Sequence, residues 1–192
     1  MNKNIPIAIA ASTLLLAGCA TNVRKPTASH NPAPAQAFSH YNAFSLKPIN
    51  TGESCDKQRG ADVALRTIEE KLNGRIGSMI ATWNSKASGA AKRTLVLEPV
   101  CSDAKLVGST ARALTGALAG SSAIVMKMRY IDQATGKIIA EPVFYQRANA
   151  MGAAWSFGAT DRDMLERIVE LMANYTEKNY SAAVGGPTGL EM

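Results

Sequence analysis

The sequence predicts an α/β (α+β) domain. Two main helices pack on one face of a mixed four- to five-stranded sheet, in the order β-α-β, a Gly-rich segment, β-β, α. Three observations carry this. First, Ala61, Leu65, Ile68, Leu72, Ile76, Met79 and Trp83 recur at steps of three and four, an apolar stripe about six helical turns long. Second, strand-like runs stand on either side of that stripe. Third, "AIVMKMRYI" and "KIIAEPVFYQR" flank the short turn "DQATG", which reads as an antiparallel hairpin.

Element by element, Tyr41 to Ile49 alternates Phe44 and Leu46 with Ser45 and Lys47 and reads as the first strand, ended by Asn50, Thr51 and Gly52. The long helix follows. Gly74 and Gly77 weaken it by about 1 kcal/mol each relative to Ala, and permit either close packing on a sheet or a bend. Ser88-Gly89 ends it. Arg93 to Val100, "RTLVLEPV", is the second strand, and a strand-helix-strand crossover of this length predicts a parallel, right-handed pair. In the hairpin, Pro142 places an edge or a bulge in the second arm. Residues 149–159 read as a loop. Thr160 with Asp163 then reads as a capping-box variant, and Leu165, Ile168, Val169, Met172 and Tyr175 give the last helix its apolar face.

The 192 residues are 46% hydrophobic and 19% charged, a globular composition, with a net charge of +6. The basic residues stand singly or in pairs such as Arg24-Lys25 and Lys92-Arg93. No run of five like charges forms a nucleic-acid stripe, so no nucleic-acid partner is expected. A dispersed positive excess suits a solvated surface, an anionic membrane or a cell-wall polymer.

The chain begins with Lys3, an apolar run from Ile5 to Ala17, and then Leu16-Ala17-Gly18-Cys19. The run is too short to span a hydrocarbon core of ~30 Å. The pattern resembles the lipobox of bacterial lipoproteins. That resemblance implies a signal peptide over residues 1–18, cleavage before Cys19, and lipid on the Cys19 thiol and the new amino group. Two or more acyl chains make a stable membrane anchor. Ala20, Thr21 and Asn22 include no Asp of the kind that retains enteric lipoproteins in the inner membrane, which implies the outer membrane, periplasmic face. No later stretch reads as a transmembrane helix, Arg112 interrupting the nearest one, Leu106 to Met126.

Residues 19–38, with Pro26, Pro32 and Pro34, read as the lipidated cysteine and a disordered linker, residues 39–181 as the domain, and residues 182–192 as a flexible tail. Cys55 and Cys101 remain, 46 residues apart. In the oxidising compartment implied by the lipobox, two such thiols should pair, adding roughly 3–4 kcal/mol in the chain-entropy model. The parallel crossover puts both at the same end of the sheet. Two free buried thiols are the alternative.

Catalytic chemistry is not indicated. His30 and His40 lie in or beside the linker, so the domain offers no imidazole for a triad or metal site. "GSTARALTGALAG" lacks the GK[ST] ending of a phosphate loop. No catalytic, cofactor or metal residue is therefore assigned. The Gly-rich segment 106–122 is open to three readings: packed on the sheet, ordering on a partner, or inserting into the membrane, the last disfavoured by Arg112. Trp155 and Phe157 in "AAWSF" either plug the core or form an exposed aromatic anchor for a protein or glycan.

"YIDQATGKIIAE", the Gly-rich stretch before it and the final "DRDMLERIVELMANY" resemble a proteobacterial lipoprotein family defined only as a domain of unknown function. The architecture is similar, more distantly, to envelope-assembly lipoproteins such as the curli-secretion lipoprotein and the lipoprotein activators of peptidoglycan synthases. These resemblances imply a non-catalytic, protein-binding or envelope-assembly role, with Trp155, Phe157 and Arg112 as candidate contacts. A ligand- or glycan-binding module is the alternative.

Overall fold

The computed structural model describes residues 23–86, 93–108, 120–148 and 159–190. In chain order they form β1 (His30–Asn31), β2 (Ala43–Leu46), β3 (Asn50–Thr51), α1 (Glu53–Asp56), α2 (Ala61–Leu72), α3 (Ser78–Ser85), β4 (Thr94–Lys105), β5 (Ala123–Asp132), β6 (Ile138–Ala140), β7 (Val143–Arg147), α4 (Ala159–Ser181) and β8 (Gly186–Pro187). The class is the expected one: a mixed sheet with helices.

β4 is the spine of the sheet. It pairs in parallel with β2 and β3, and antiparallel with β5. β6 and β7 both line the other side of β5. Six strands thus fill four lanes. The break between β6 and β7 falls at Pro142, which has no N–H to donate but whose carbonyl accepts from Met128 N at 3.1 Å. β4 extends five residues beyond the expected Val100, through a register shift between Cys101 and Asp103.

Alternation sorts the two faces. Phe44, Leu95, Leu97, Met126, Met128, Tyr130 and Phe144 point to one side and are buried with Ile68, Leu72, Ile76, Ile168, Val169 and Met172 of the helices in one core. The other side carries Val96, Glu98, Val100, Lys127, Arg129 and Ile131, all half-buried. There Arg129 reaches Glu98 at 2.8 Å and Glu141 at 3.7 Å, and Lys127 reaches Glu141 at 2.9 Å.

The long helix is not uniform. Between α2 and α3, Asn73–Gly77 winds as a wider π-type turn. The extra residue advances the stripe, so Ile76 and Ile80 are buried while Met79 and Trp83 are only partly covered. A Cβ built on Gly74 or Gly77 would meet nothing within 4 Å, so neither glycine serves a close approach to the sheet. Trp83 instead stacks on Tyr180 of α4, ring centroids 4.3 Å apart. α4 is described from Ala159, so the cap expected at Thr160 falls inside the helix.

The linker and the tail differ most from expectation. Within the described residues neither is loose. β1 and β8 pair antiparallel, His30 with Pro187 and Asn31 with Gly186. Thr188 N donates to Ser29 O, and Tyr145 N donates to Thr188 O, so both segments lie along the free edge of β7. Ala35 N donates to Ile139 O, and Phe38 is fully buried, stacked on Tyr130 at 4.4 Å. Burial pushes the Tyr175 hydroxyl up to about 12, and it donates to Pro32 O at 2.9 Å. These contacts are backbone and single side chains with no period, which is why the composition resembles a linker.

Candidate functional site

Cys55 of α1 and Cys101 of β4 are joined as a disulfide, their Cα atoms 6.2 Å apart and both side chains fully buried. The parallel register Thr51 with Cys101, and the bond from Gly52 N to Cys101 O at 3.0 Å, bring α1 over the end of β4.

At the opposite end of the sheet, Asp132 closes a polar knot. Its carboxylate accepts from the Tyr41 hydroxyl at 3.1 Å, from Arg93 Nη2 at 3.0 Å, and from the amides of Ala134 and Thr135 at 3.0 and 3.2 Å. Burial acts to raise this carboxyl. Its bonds from Arg93, Thr135, Tyr41 and Ala134 outweigh that and hold it below the usual range. Tyr41 is moved upward, first by burial and then by Asp132, so it stays a donor. The Arg93 guanidinium also sits over the Tyr41 ring at 4.6 Å. Gly136, at φ +69°, completes the turn. The chemistry of this knot is that of a turn lock: every group is paired internally.

A second polar region is unpaired and open. Lys105 of β4, Ala123 of β5 and Arg147 of β7 stand in one register row across three strands. Ala123 is the floor between two long cationic side chains. The N-terminal segment crosses beside this row, where Arg24 N donates to Asp103 Oδ2 at 2.9 Å, and it adds Val23 and Lys25 to the rim. With Gly120, Ser121 and Tyr145 they enclose a cleft of about 710 Å³. None of its lining residues is acidic. Among the described residues, Lys25, Lys105 and Arg147 have no carboxylate partner. Three cations lining one cleft over a small apolar floor, with no carboxylate partner among the described residues, suit an anion.

The residues singled out from sequence fare unequally. Cys55 and Cys101 are brought together. Cys19, Arg112, Trp155 and Phe157 lie outside the described residues, as does most of the Gly-rich segment. The cleft residues went unnoticed because Lys25, Lys105 and Arg147 are far apart in the chain. The available signal was the alternation of β7, which puts Arg147 on the outward face near a strand end, whereas Lys105 reaches that face only through the register shift between Cys101 and Asp103, which no local pattern announces. Among the described residues, no three His, Cys, Asp or Glu side chains could hold a metal ion, and no helix is long and apolar enough to cross a membrane.

No protein-family model matches the chain, and no curated protein does. Solved structures show a loose likeness of chain path. The PelC dodecamer from Paraburkholderia phytofirmans is 10% identical, with a TM-score of 0.43, over 85% of this chain and 99% of that one. A point variant of the same dodecamer is 13% identical, with a TM-score of 0.41, over 84% and 97%. A candidate lipoprotein from Caulobacter crescentus CB15 is 14% identical, with a TM-score of 0.34, over 70% and 88%. At such identities the likeness concerns fold alone, and the functional reading rests on this chain's own residues.

Proposed function

We propose that this chain is an outer-membrane lipoprotein facing the periplasm. It acts there as a non-catalytic protein-binding or envelope-assembly component. The observation that carries the reading is Leu16-Ala17-Gly18-Cys19 directly after an apolar run with a basic start. Two structural features support it. The Cys55–Cys101 bridge suits an oxidising compartment. The outward sheet face presents alternating charge, Glu98, Arg129, Glu141 and Lys127, beside Val96, Val100 and Ile131, a surface of the polar-apolar mix that protein interfaces use.

The test is the intact mass of protein purified from membranes, beside a Cys19→Ala control. Loss of residues 1–18 and added acyl mass, both absent in the control, is the expected result. An unmodified full-length chain would sink the anchor and the envelope role with it. Crosslinking from the outward sheet face in intact cells then asks for a stoichiometric envelope partner. Purification of the lipidated protein without any crosslinked partner would count against the assembly role.

A further inference from the structure

We infer that the cleft between Lys25, Lys105 and Arg147 binds the phosphate of an anionic phospholipid headgroup, and so seats the domain on the membrane that carries its anchor. The inference rests on the reading of Cys19 as the lipidated residue.

Distance is the first argument. Only Ala20, Thr21 and Asn22 separate Cys19 from Val23, which lines the cleft. Four Cα steps span at most about 14 Å. From Val23 onward the chain is fixed to the domain, through Arg24 to Asp103, Thr188 to Ala28 and Ser29, and Asn31 to Val143. The segment that reads as a long tether therefore provides no long reach. An anchor at Cys19 holds the rim of the cleft within about 14 Å of the acyl-chain boundary, so a headgroup layer roughly 5–7 Å deep lies within reach of its long cationic side chains.

Charge is the second argument. The cleft gathers three cations and no carboxylate. Lys105 lies low, its Nζ only 3.3 Å from where a Cβ on Gly120 would stand, so a side chain at that position would crowd the ammonium. Gly120, at φ +77°, keeps the approach open. Arg147 supplies a planar guanidinium suited to two phosphate oxygens, and the lysines supply point charges. The opposite end of β5 carries Lys137 in its turn, about 30 Å away at the rise of a strand. The cationic end and the anchor end of the domain thus coincide.

The experiment uses the lipidated protein extracted from membranes. It is reconstituted into vesicles of phosphatidylcholine alone, or of phosphatidylcholine with phosphatidylglycerol. An amine-acylating reagent is added, and modification of Lys25 and Lys105 is read by mass spectrometry against Lys137 and Lys178, both exposed and away from the cleft. The proposal expects Lys25 and Lys105 to react about five-fold more slowly when phosphatidylglycerol is present, the reference lysines being unchanged. Added salt should remove the difference. Arg147→Gln should weaken the protection of both lysines, and Arg147→Lys should keep most of it. The Arg147 side chain is exposed, and an unchanged melting temperature would show that each variant folds.

Equal reactivity in the two vesicles, in a protein whose mass shows the acyl chains, would overturn the proposal and leave the anchor standing. Protection of detergent-solubilised protein by inorganic phosphate to the same degree would overturn the lipid source in favour of a free anion. A mass without acyl chains would remove the anchor and this proposal together, whatever the lysines do.

Discussion

The side-chain amide of Asn31 holds Val143 by both of its backbone groups: Val143 N donates to Asn31 Oδ1 at 2.8 Å, and Asn31 Nδ2 donates to Val143 O at 2.9 Å. Asn31 is itself buried, and its Nδ2 also approaches Pro187 O at 3.4 Å. One side chain thus acts as a rung of sheet for β7. It covers an edge that would otherwise be open to pairing, and it ties the N-terminal segment to the body of the domain.

Asn31→Ala should therefore release the N-terminal segment. The Val143 amide and carbonyl lose their partners in a part-buried setting, a cost of about 2 kcal/mol. Hydrogen exchange is the direct readout. The amides of Val143 and Thr188 should exchange faster, while those of β4 stay protected. Unchanged exchange at Val143 would show that Asn31 is not what closes this edge.

Reducing the Cys55–Cys101 bridge, which spans 46 residues, should lower stability by roughly 3–4 kcal/mol. The check is a urea titration with and without reductant, repeated on the Cys55→Ser, Cys101→Ser double variant. The variant and the reduced protein should coincide. The effect should reach α1 first, because the bridge and the Gly52 to Cys101 bond are what hold it on β4.

Asp132 sets an acid limit. Its folded-state carboxyl lies below the ordinary value of 3.8, so it contributes stability above that value, where both folded and unfolded chains carry it ionised. That contribution is lost as pH falls through the lowered folded value. Asp132→Asn should flatten the fall of melting temperature between about pH 5 and pH 2 while lowering the plateau near neutrality. An unaltered acid limb in the variant would mean that other carboxylates govern acid unfolding.

Two glycines with the same backbone demand separate strain from collision. Gly60 has φ +80° and open space where a Cβ would stand. Gly189 has φ +82°, and a Cβ there would strike Tyr145 O and come within 2.5 Å of Leu171 Cδ1. Gly60→Ala should cost about 1 kcal/mol, from the left-handed backbone alone. Gly189→Ala should cost more, about 3 kcal/mol, because the tail must also move off β7. Equal melting temperatures for the two variants would mean that the tail packs too weakly to matter.

Local rules carry much of this protein. The 3.6-residue stripe placed Leu65, Ile68, Leu72 and Ile76 in the core, and the last helix buries Leu165, Ile168, Val169, Met172 and Tyr175 as its spacing requires. Alternation and turn chemistry are equally local, which is why the pairing of β5 with β6 and β7 and the break at Pro142 follow from the chain alone. The pattern Leu16-Ala17-Gly18-Cys19, which resembles a lipobox, is local too, a string of neighbours read in order.

Contacts made by single residues across great sequence distance are another matter. Asn31 with Val143, Tyr175 with Pro32 and Thr188 with Ala28 leave no periodic trace, because each joins one polar side chain to the backbone of one residue rather than a face to a face. Pro, Ser and Asn are common in tethers and equally suited to such bonds, so composition could not separate an ordered strap from a loose one. The basic cleft has the same origin. Lys25, Lys105 and Arg147 are scattered along the chain, and only the register of β4, β5 and β7, with the strap laid beside it, brings three like charges around Ala123.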